Sequence, residues 1–257
     1  MRSCRTHRRA PLQTWLDDAK SRLQLGVARS FESWMFAPYR RVIVVSERDR
    51  DELHTLNPAL PVEVIPNGVD LQYFQPTGKP RQPNTLLFTG NYEYAPNVDA
   101  ALRLARDIFP RVQAQLPDAK LWIVGSAPPP ELQSLASETI TVSGHVPDMR
   151  TYLETAAAFV CPLRLGAGIK NKVLEALALA CPLVATPLSV DGIAVRDGHD
   201  ALIAESDEQI AAAVQRLLAD AALRDQLGAN GRALIESRYS WGQVAERYEA
   251  VYTEVTS

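Results

Sequence analysis

The chain has 257 residues, 46% of them hydrophobic and 22% charged, with a formal net charge of −3 at pH 7. That length holds one large domain or one and a half of ordinary size, the composition is that of a soluble globular protein with a real core, and no run is long enough for a transmembrane helix. The charge is uneven, because residues 1–50 carry 11 Lys/Arg against 5 Asp/Glu and the remainder is acidic.

A basic first segment suits nucleic acid or an anionic membrane surface, and equally a helix whose arginines rim a packed interface. The opening MRSCRTHRR has no apolar stretch behind it and is not read as a secretory signal. Residues 12–39 carry Leu12, Leu16, Leu23, Val27, Phe31 and Trp34 at helical spacing, with Pro38 as the stop. Val42–Val45 is a strand with no polar alternation, and Ser46 caps a short helix from Glu47 to Leu56. Residues 61–70 read as a strand ending in a Pro-Asn-Gly turn, followed by a Pro/Gly/Gln-rich connector at 75–84.

From there the pattern is regular. Strands are expected at 85–89, 120–124, 140–143, 158–161, 182–185 and 201–203, and helices at 98–116, 130–138, 147–156, 170–180, 207–218, 220–237 and 241–255. Five or six apolar strands alternating with helices predict an α/β fold, a doubly wound parallel sheet. In such sheets ligands lie beyond the carboxyl ends of the strands, so Gly90-Asn91, Gly125-Ser126, His145-Val146 and Arg164–Gly168 should ring one crevice.

The most informative stretch is 159–186, FVCPLRLGAGIKNKVLEALALACPLVAT. Strand, glycine turn and helix aim backbone N–H groups and a helix N-terminus at an anion. Arg164 precedes the turn, Lys172 lies in the first helical turn, and Glu175 lies three residues on, near the same face. Two cations, a row of amides and one carboxylate suit a diphosphate joined to a sugar diol. The spacing alone fits an ordinary βα turn equally well.

Five stretches in register then carry a resemblance: IPNGVDLQYFQP (65–76), GNYEYAPNVDA (90–100), SGHVPDMRTYL (143–153), the 162–186 stretch and YSWGQVAERYEAVY (239–252). From about Phe31 onward the chain resembles the nucleotide-sugar-dependent glycosyltransferases of family 4, which have two Rossmann-like domains, the GT-B fold. The resemblance implies a remnant of the N-terminal acceptor domain at 1–60, a nucleotide-sugar-binding domain at 61–240 and a crossing helix at 241–257. It implies transfer of a hexose from a nucleoside diphosphate sugar to a hydroxyl acceptor, lipid-linked or a growing polysaccharide, with retention at the anomeric carbon. Glu175 would hold the ribose hydroxyls, and amides near Ile169, Lys170 and Asn171, in the turn of Gly166 and Gly168, would meet the diphosphate. Arg164 and Lys172 would neutralise it, His145-Val146 would pair with the base, and Gly90-Asn91 would border the donor sugar. No metal or other cofactor is expected. A non-catalytic nucleotide-binding or scaffold subunit, and a nucleotide-sugar epimerase or hydrolase of the same fold, are the alternatives.

The chain departs from the family in three places. A second Glu is usual where Ala167 stands, an Arg and Lys are usual after the first strand where GNYEYAPN has neither, and Gly is usual at Ala180. A left-handed residue at 180 would cost about 1–2 kcal/mol for alanine, so another turn geometry is expected there. Only the final helix and strand of the other domain are expected, leaving Val42–Val45 with two unpaired edges and a tendency of 12–56 to self-associate. His7, His54, His145 and His199 share no metal-ligand spacing. Asp99 reads as a helix cap, Trp122 as core, Asp191-Gly192 and Asp197-Gly198 as turns. Cys4, Cys161 and Cys181 show no CxxC pattern, which fits a reducing compartment, and a cytoplasmic location at or away from the inner membrane face follows.

Overall fold

The computed structural model describes residue 31 and residues 34–257. Most of the helix expected at 12–39, together with Cys4 and His7, lies outside the described residues. In chain order, β1 (Val42–Val44), α1 (Glu47–Leu56) and β2 (Val62–Val64) come first. Ser46 caps α1 as its residue type suggests, its Oγ accepting from the Asp49 N–H at 3.1 Å. β1 does not stand alone: it pairs in parallel with β2, Val42 opposite Val62. The 61–70 strand therefore joins the small sheet and not the larger one that follows.

The main sheet has six strands, β3 (Gln82–Thr89), β4 (Lys120–Val124), β5 (Ile140–Val142), β6 (Ala156–Cys161), β7 (Leu183–Ala185) and β8 (Leu202–Ile203). Their order across the sheet is β5-β4-β3-β6-β7-β8, every pair parallel. The chain starts in the middle and winds first one way and then the other, so the loops leaving β3 and β6 diverge and open a crevice between them. Leu86, Leu87 and Phe88 of β3 and all six residues of β6 are buried, the continuous apolar pattern of strands covered on both faces.

Helices cover the sheet. The helix expected at 98–116 starts earlier and is broken into α2 (Ala95–Arg103), a π turn (Leu104–Ile108) and α3 (Phe109–Gln113). Pro110 has no N–H and its ring would crowd the carbonyl four residues back, and the wider turn relieves both. α4 (Pro130–Gln133) is shorter than expected, and α5 (Arg150–Thr155) starts after Asp148 accepts the Arg150 N–H. α6 (Asn171–Ala178), α7 (Asp207–Ala219), α8 (Ala221–Arg238) and α9 (Trp241–Thr256) complete the chain. Ser206 with Gln209, and Ser240 with Gln243, form capping boxes that set the starts of α7 and α9.

α6 carries the central motif, and its packing fixes it. Val173, Leu174 and Leu177 are fully buried, each worth up to about 1.5–3 kcal/mol. α8 comes so close that a Cβ on Gly228 would lie 2.4 Å from the Ala180 carbonyl. The helix ends in a Schellman arrangement, Cys181 N–H to Ala176 O and Ala180 N–H to Leu177 O, both 2.9 Å. Ala180 thus adopts the left-handed conformation after all, at φ 52°. The cost is offset where Arg81 donates to the Ala180 carbonyl at 2.6 Å and Arg232 to that of Ala178, cations at a helix C-terminus. Ala180→Gly is accordingly expected to stabilise the chain by about 1 kcal/mol, the strain relieved less glycine's added unfolded entropy. A rise of about 2–4 °C in the unfolding midpoint would show it.

α9 turns its apolar face to the small sheet: Val244 and Val251 cluster with Ile65, with Ile43, Tyr248 and Val255 against them. The Pro66–Gly68 turn runs beneath Trp241, and Asn67 Nδ2 donates to Asn171 Oδ1 at 2.9 Å. The start of α6 is thereby tied to the segment joining the two sheets. Among the described residues no helix is long and apolar enough to cross a membrane.

Candidate functional site

Of the residues singled out from the sequence, Gly90, Asn91, Gly166 and Lys172 come together with Tyr94 and Asn97 between the β3 and β6 exits. On the β3 side, the Gly90 N–H donates to the Val124 carbonyl at 3.1 Å, and a Cβ on Gly125 would lie 1.8 Å from the Gly90 oxygen. Only glycine at 125 lets the ends of β3 and β4 come this close. Asn91 opens an Asx turn, its Oδ1 accepting the Glu93 N–H at 3.1 Å. Tyr94 then precedes α2 without a side-chain cap.

On the β6 side, the exit is pinned from below. Ser189 Oγ donates to the Cys161 carbonyl and Thr186 Oγ1 to that of Leu163, each at 2.6 Å. The chain then turns at Gly166 and Gly168, φ 113° and 69°, into Lys170, which precedes α6. No side chain caps that N-terminus; the Val173 N–H donates to the Lys170 carbonyl at 2.8 Å, and the Asn171 and Lys172 N–H groups have no acceptor among the described residues. Lys170 folds back, its Nζ donating to the carbonyls of Ala167 and Gly168, and burial pulls its pKa down. Ile169 is half-buried against the core, beside the loop at Gly192.

Lys172 reaches across the crevice floor. Its Nζ donates to Asn97 Oδ1 at 2.6 Å and lies 4.5 Å above the centre of the Phe88 ring. Burial lowers its pKa, so the ammonium is poorly solvated. Glu175, one turn on, has its pKa raised to about 7, chiefly by burial and against the pull of Lys172. Its carboxylate has no hydrogen-bond partner among the described residues, and two acceptor oxygens are left open.

Arg164 is placed differently from the expectation. It forms a two-pronged ion pair with Asp99, Nε to Oδ2 at 2.8 Å and Nη2 to Oδ1 at 2.7 Å. This pair holds the Asp99 carboxyl below its usual pKa and raises that of the guanidinium. Asp99 is therefore not the cap of α2, which already begins at Ala95, but the partner of Arg164. Half of the expected positive charge is neutralised before any ligand arrives.

His145 and Val146 leave β5, the edge strand two places from the crevice. His145 is exposed, and Val146 packs on the core. A separate cavity of about 640 Å³ opens between the small sheet and the 192–194 loop, lined by Ser46, Val64, Pro66, Tyr239 and Arg247 among others. None of Lys172, Glu175 and Arg164 lines it. Among the described residues no group of three His, Cys, Asp or Glu side chains could hold a metal ion.

Asn97 and Asp99 were not visible as site residues in the sequence. Both lie in the first turns of a helix, where Asn and Asp usually read as caps, and their partners are 75 and 65 positions away.

The sequence profile described as "Glycosyl transferases group 1" matches residues 83–220, the whole crevice and most of the main sheet. This chain belongs to that family. A second profile, "Glycosyltransferase Family 4", matches residues 4–73 of the same group 1 chain. The phosphatidyl-myo-inositol mannosyltransferase of Mycobacterium tuberculosis is 32% identical over 206 residues, covering 74% of this chain and 53% of that protein. The chain spans about half the length of the mannosyltransferases it matches. Sucrose-phosphate synthase from Thermosynechococcus elongatus shares the fold, with a TM-score of 0.75 at 22% identity over 90% of this chain and 62% of that one. A point mutant of S. aureus TarM, solved in a complex that includes UDP, matches at a TM-score of 0.74 and 15% identity over 84% of this chain and 44% of that one. The main sheet of this group 1 chain is thus the Rossmann-like half of a GT-B fold.

Proposed function

We propose that this chain binds the donor in a transferase that moves a sugar from a nucleoside diphosphate sugar to a hydroxyl acceptor, with retention at the anomeric carbon. The observation that carries the reading is the convergence, at the switch point of the sheet, of an uncapped helix N-terminus, the poorly solvated Lys172 ammonium and the unpartnered Glu175 carboxylate. Amides of α6 and Lys172 receive the diphosphate, and Glu175 accepts two hydroxyl donors from the ribose. Gly90 and Asn91 border the donor sugar across the crevice. As the sugar–oxygen bond breaks, negative charge grows on the diphosphate, and a fixed ammonium in a poorly solvated site stabilises it. The reading needs no metal, because these groups supply the positive charge. A relative named for phosphatidyl-myo-inositol supports a lipid-linked hydroxyl acceptor, and on this reading the acceptor is met at the cytoplasmic face of a membrane.

A thermal-shift panel of UDP- and GDP-sugars tests the donor half. A true donor at about 100 times its dissociation constant should stabilise the chain by about 2.7 kcal/mol. If no nucleotide sugar, UDP or GDP raises the midpoint, the crevice is not a donor site.

A further inference from the structure

We infer that Asn97 is a positioning residue for the diphosphate: it holds the Lys172 ammonium at the crevice floor and ties it to the Gly90–Asn91 turn. The inference rests on the donor-site reading above. Its geometry is independent of any ligand. Asn97 Oδ1 accepts from Lys172 Nζ at 2.6 Å, and Asn97 Nδ2 donates to the Asn91 carbonyl at 2.7 Å. An ammonium can only donate and a carbonyl can only accept, so the amide has one orientation that satisfies both. Flipping it would set NH₂ against NH₃⁺ and oxygen against oxygen.

The amide is also well placed to act as a strut. Asn97 is only 8% exposed, and its own N–H donates to the Tyr94 carbonyl at 2.9 Å, so it moves with the first turn of α2. The Gly90 turn lies directly on it, since a Cβ on Gly90 would be 3.0 Å from the Asn97 Cγ. Lys172 otherwise has only the Phe88 ring face beneath it. Its long side chain is flexible, and without Asn97 nothing described would hold its tip in one place.

Titration calorimetry with UDP, GDP and inorganic pyrophosphate, and with uridine and guanosine as controls, tests the idea. The variants are Asn97→Ala, the volume-preserving Asn97→Leu, Lys172→Met and the two doubles, each checked for folding by circular dichroism. Asn97→Leu keeps the space filled if the alanine variant fails to fold. Both Asn97 variants should weaken the diphosphates by roughly 10-fold and the nucleosides by much less. In the Lys172→Met background the same Asn97 changes should cost almost nothing further, because the residue acts through that lysine. Equal losses with and without Lys172, or equal losses for nucleoside and diphosphate, would mean that Asn97 merely supports α2, and would overturn the inference alone. If the parent chain binds none of the diphosphates, the donor reading and this inference fall together.

Discussion

At pH 8, Glu175→Gln is expected to unfold at a higher temperature than the parent chain and yet to bind nucleoside diphosphates more weakly. Burial raises the Glu175 pKa from 4.5 to about 7. The folded chain therefore keeps a proton that the unfolded chain releases, and the stability this confers is fully present below pH 4.5. It is lost as the pH rises through about 7, beyond which the charged form must be held in a poorly solvated place. That penalty comes to about 1–3 kcal/mol once partial solvent access is allowed for. Glutamine has the same shape and no charge, so at pH 8 the variant should gain about 2–12 °C, and at pH 4 almost nothing. Binding should move the other way. A carboxylate takes two hydroxyl donors, and losing charge-assisted hydrogen bonds costs about 1–3 kcal/mol. The parent's affinity should also rise between pH 6 and pH 8 as Glu175 ionises. Unfolding curves at the two pH values and calorimetry with UDP and GDP decide the matter. A thermal difference that ignores pH would contradict the buried acid, and unchanged affinity would remove Glu175 from the site.

This trade between stability and binding shows where reading the sequence stopped. The place of Glu175 on α6, three residues from Lys172, follows from helical spacing and was legible. Its environment was not, because desolvation depends on which elements close over it. The main sheet was legible for a similar reason: LLF in β3, AFVC in β6 and LVA in β7 are continuous apolar runs between glycine and proline signals. The pairing of Val42–Val44 with Val62–Val64 was missed, since pairing is a non-local choice that two short apolar runs do not specify. The π turn at 104–108 hides in an alanine- and leucine-rich helix, with Pro110 as its one local sign. The steric cost at Ala180 is a local property, but what offsets it is not. The arginines that satisfy the carbonyls around it, Arg81 and Arg232, come from distant segments. Local rules found the strands and most of the helices, and long-range partners decided the charges.

Those partners separate the two cations that the sequence treated alike. Lys172→Met is expected to weaken diphosphate binding by about 10–100-fold, and Arg164→Ala by less than about threefold. Lys172 carries its charge in a buried position with one hydrogen-bond acceptor, so its attraction for a phosphate is poorly screened. Arg164 is more than half exposed and already neutralised by Asp99, and exposed pairs of that kind contribute about 0–1 kcal/mol. Removing Arg164 also frees the Asp99 carboxylate, a small repulsion that accounts for what loss remains. The same logic gives Asp99→Asn the opposite sign: it releases Arg164, and diphosphate affinity should rise by about two- to fivefold at low salt and less at high salt. Calorimetry with UDP, GDP and pyrophosphate at two salt concentrations measures all three. If Arg164→Ala costs as much as Lys172→Met, the guanidinium must leave Asp99 for the phosphates when the ligand binds. Asp99→Asn would then raise affinity further still, because the competing carboxylate is gone.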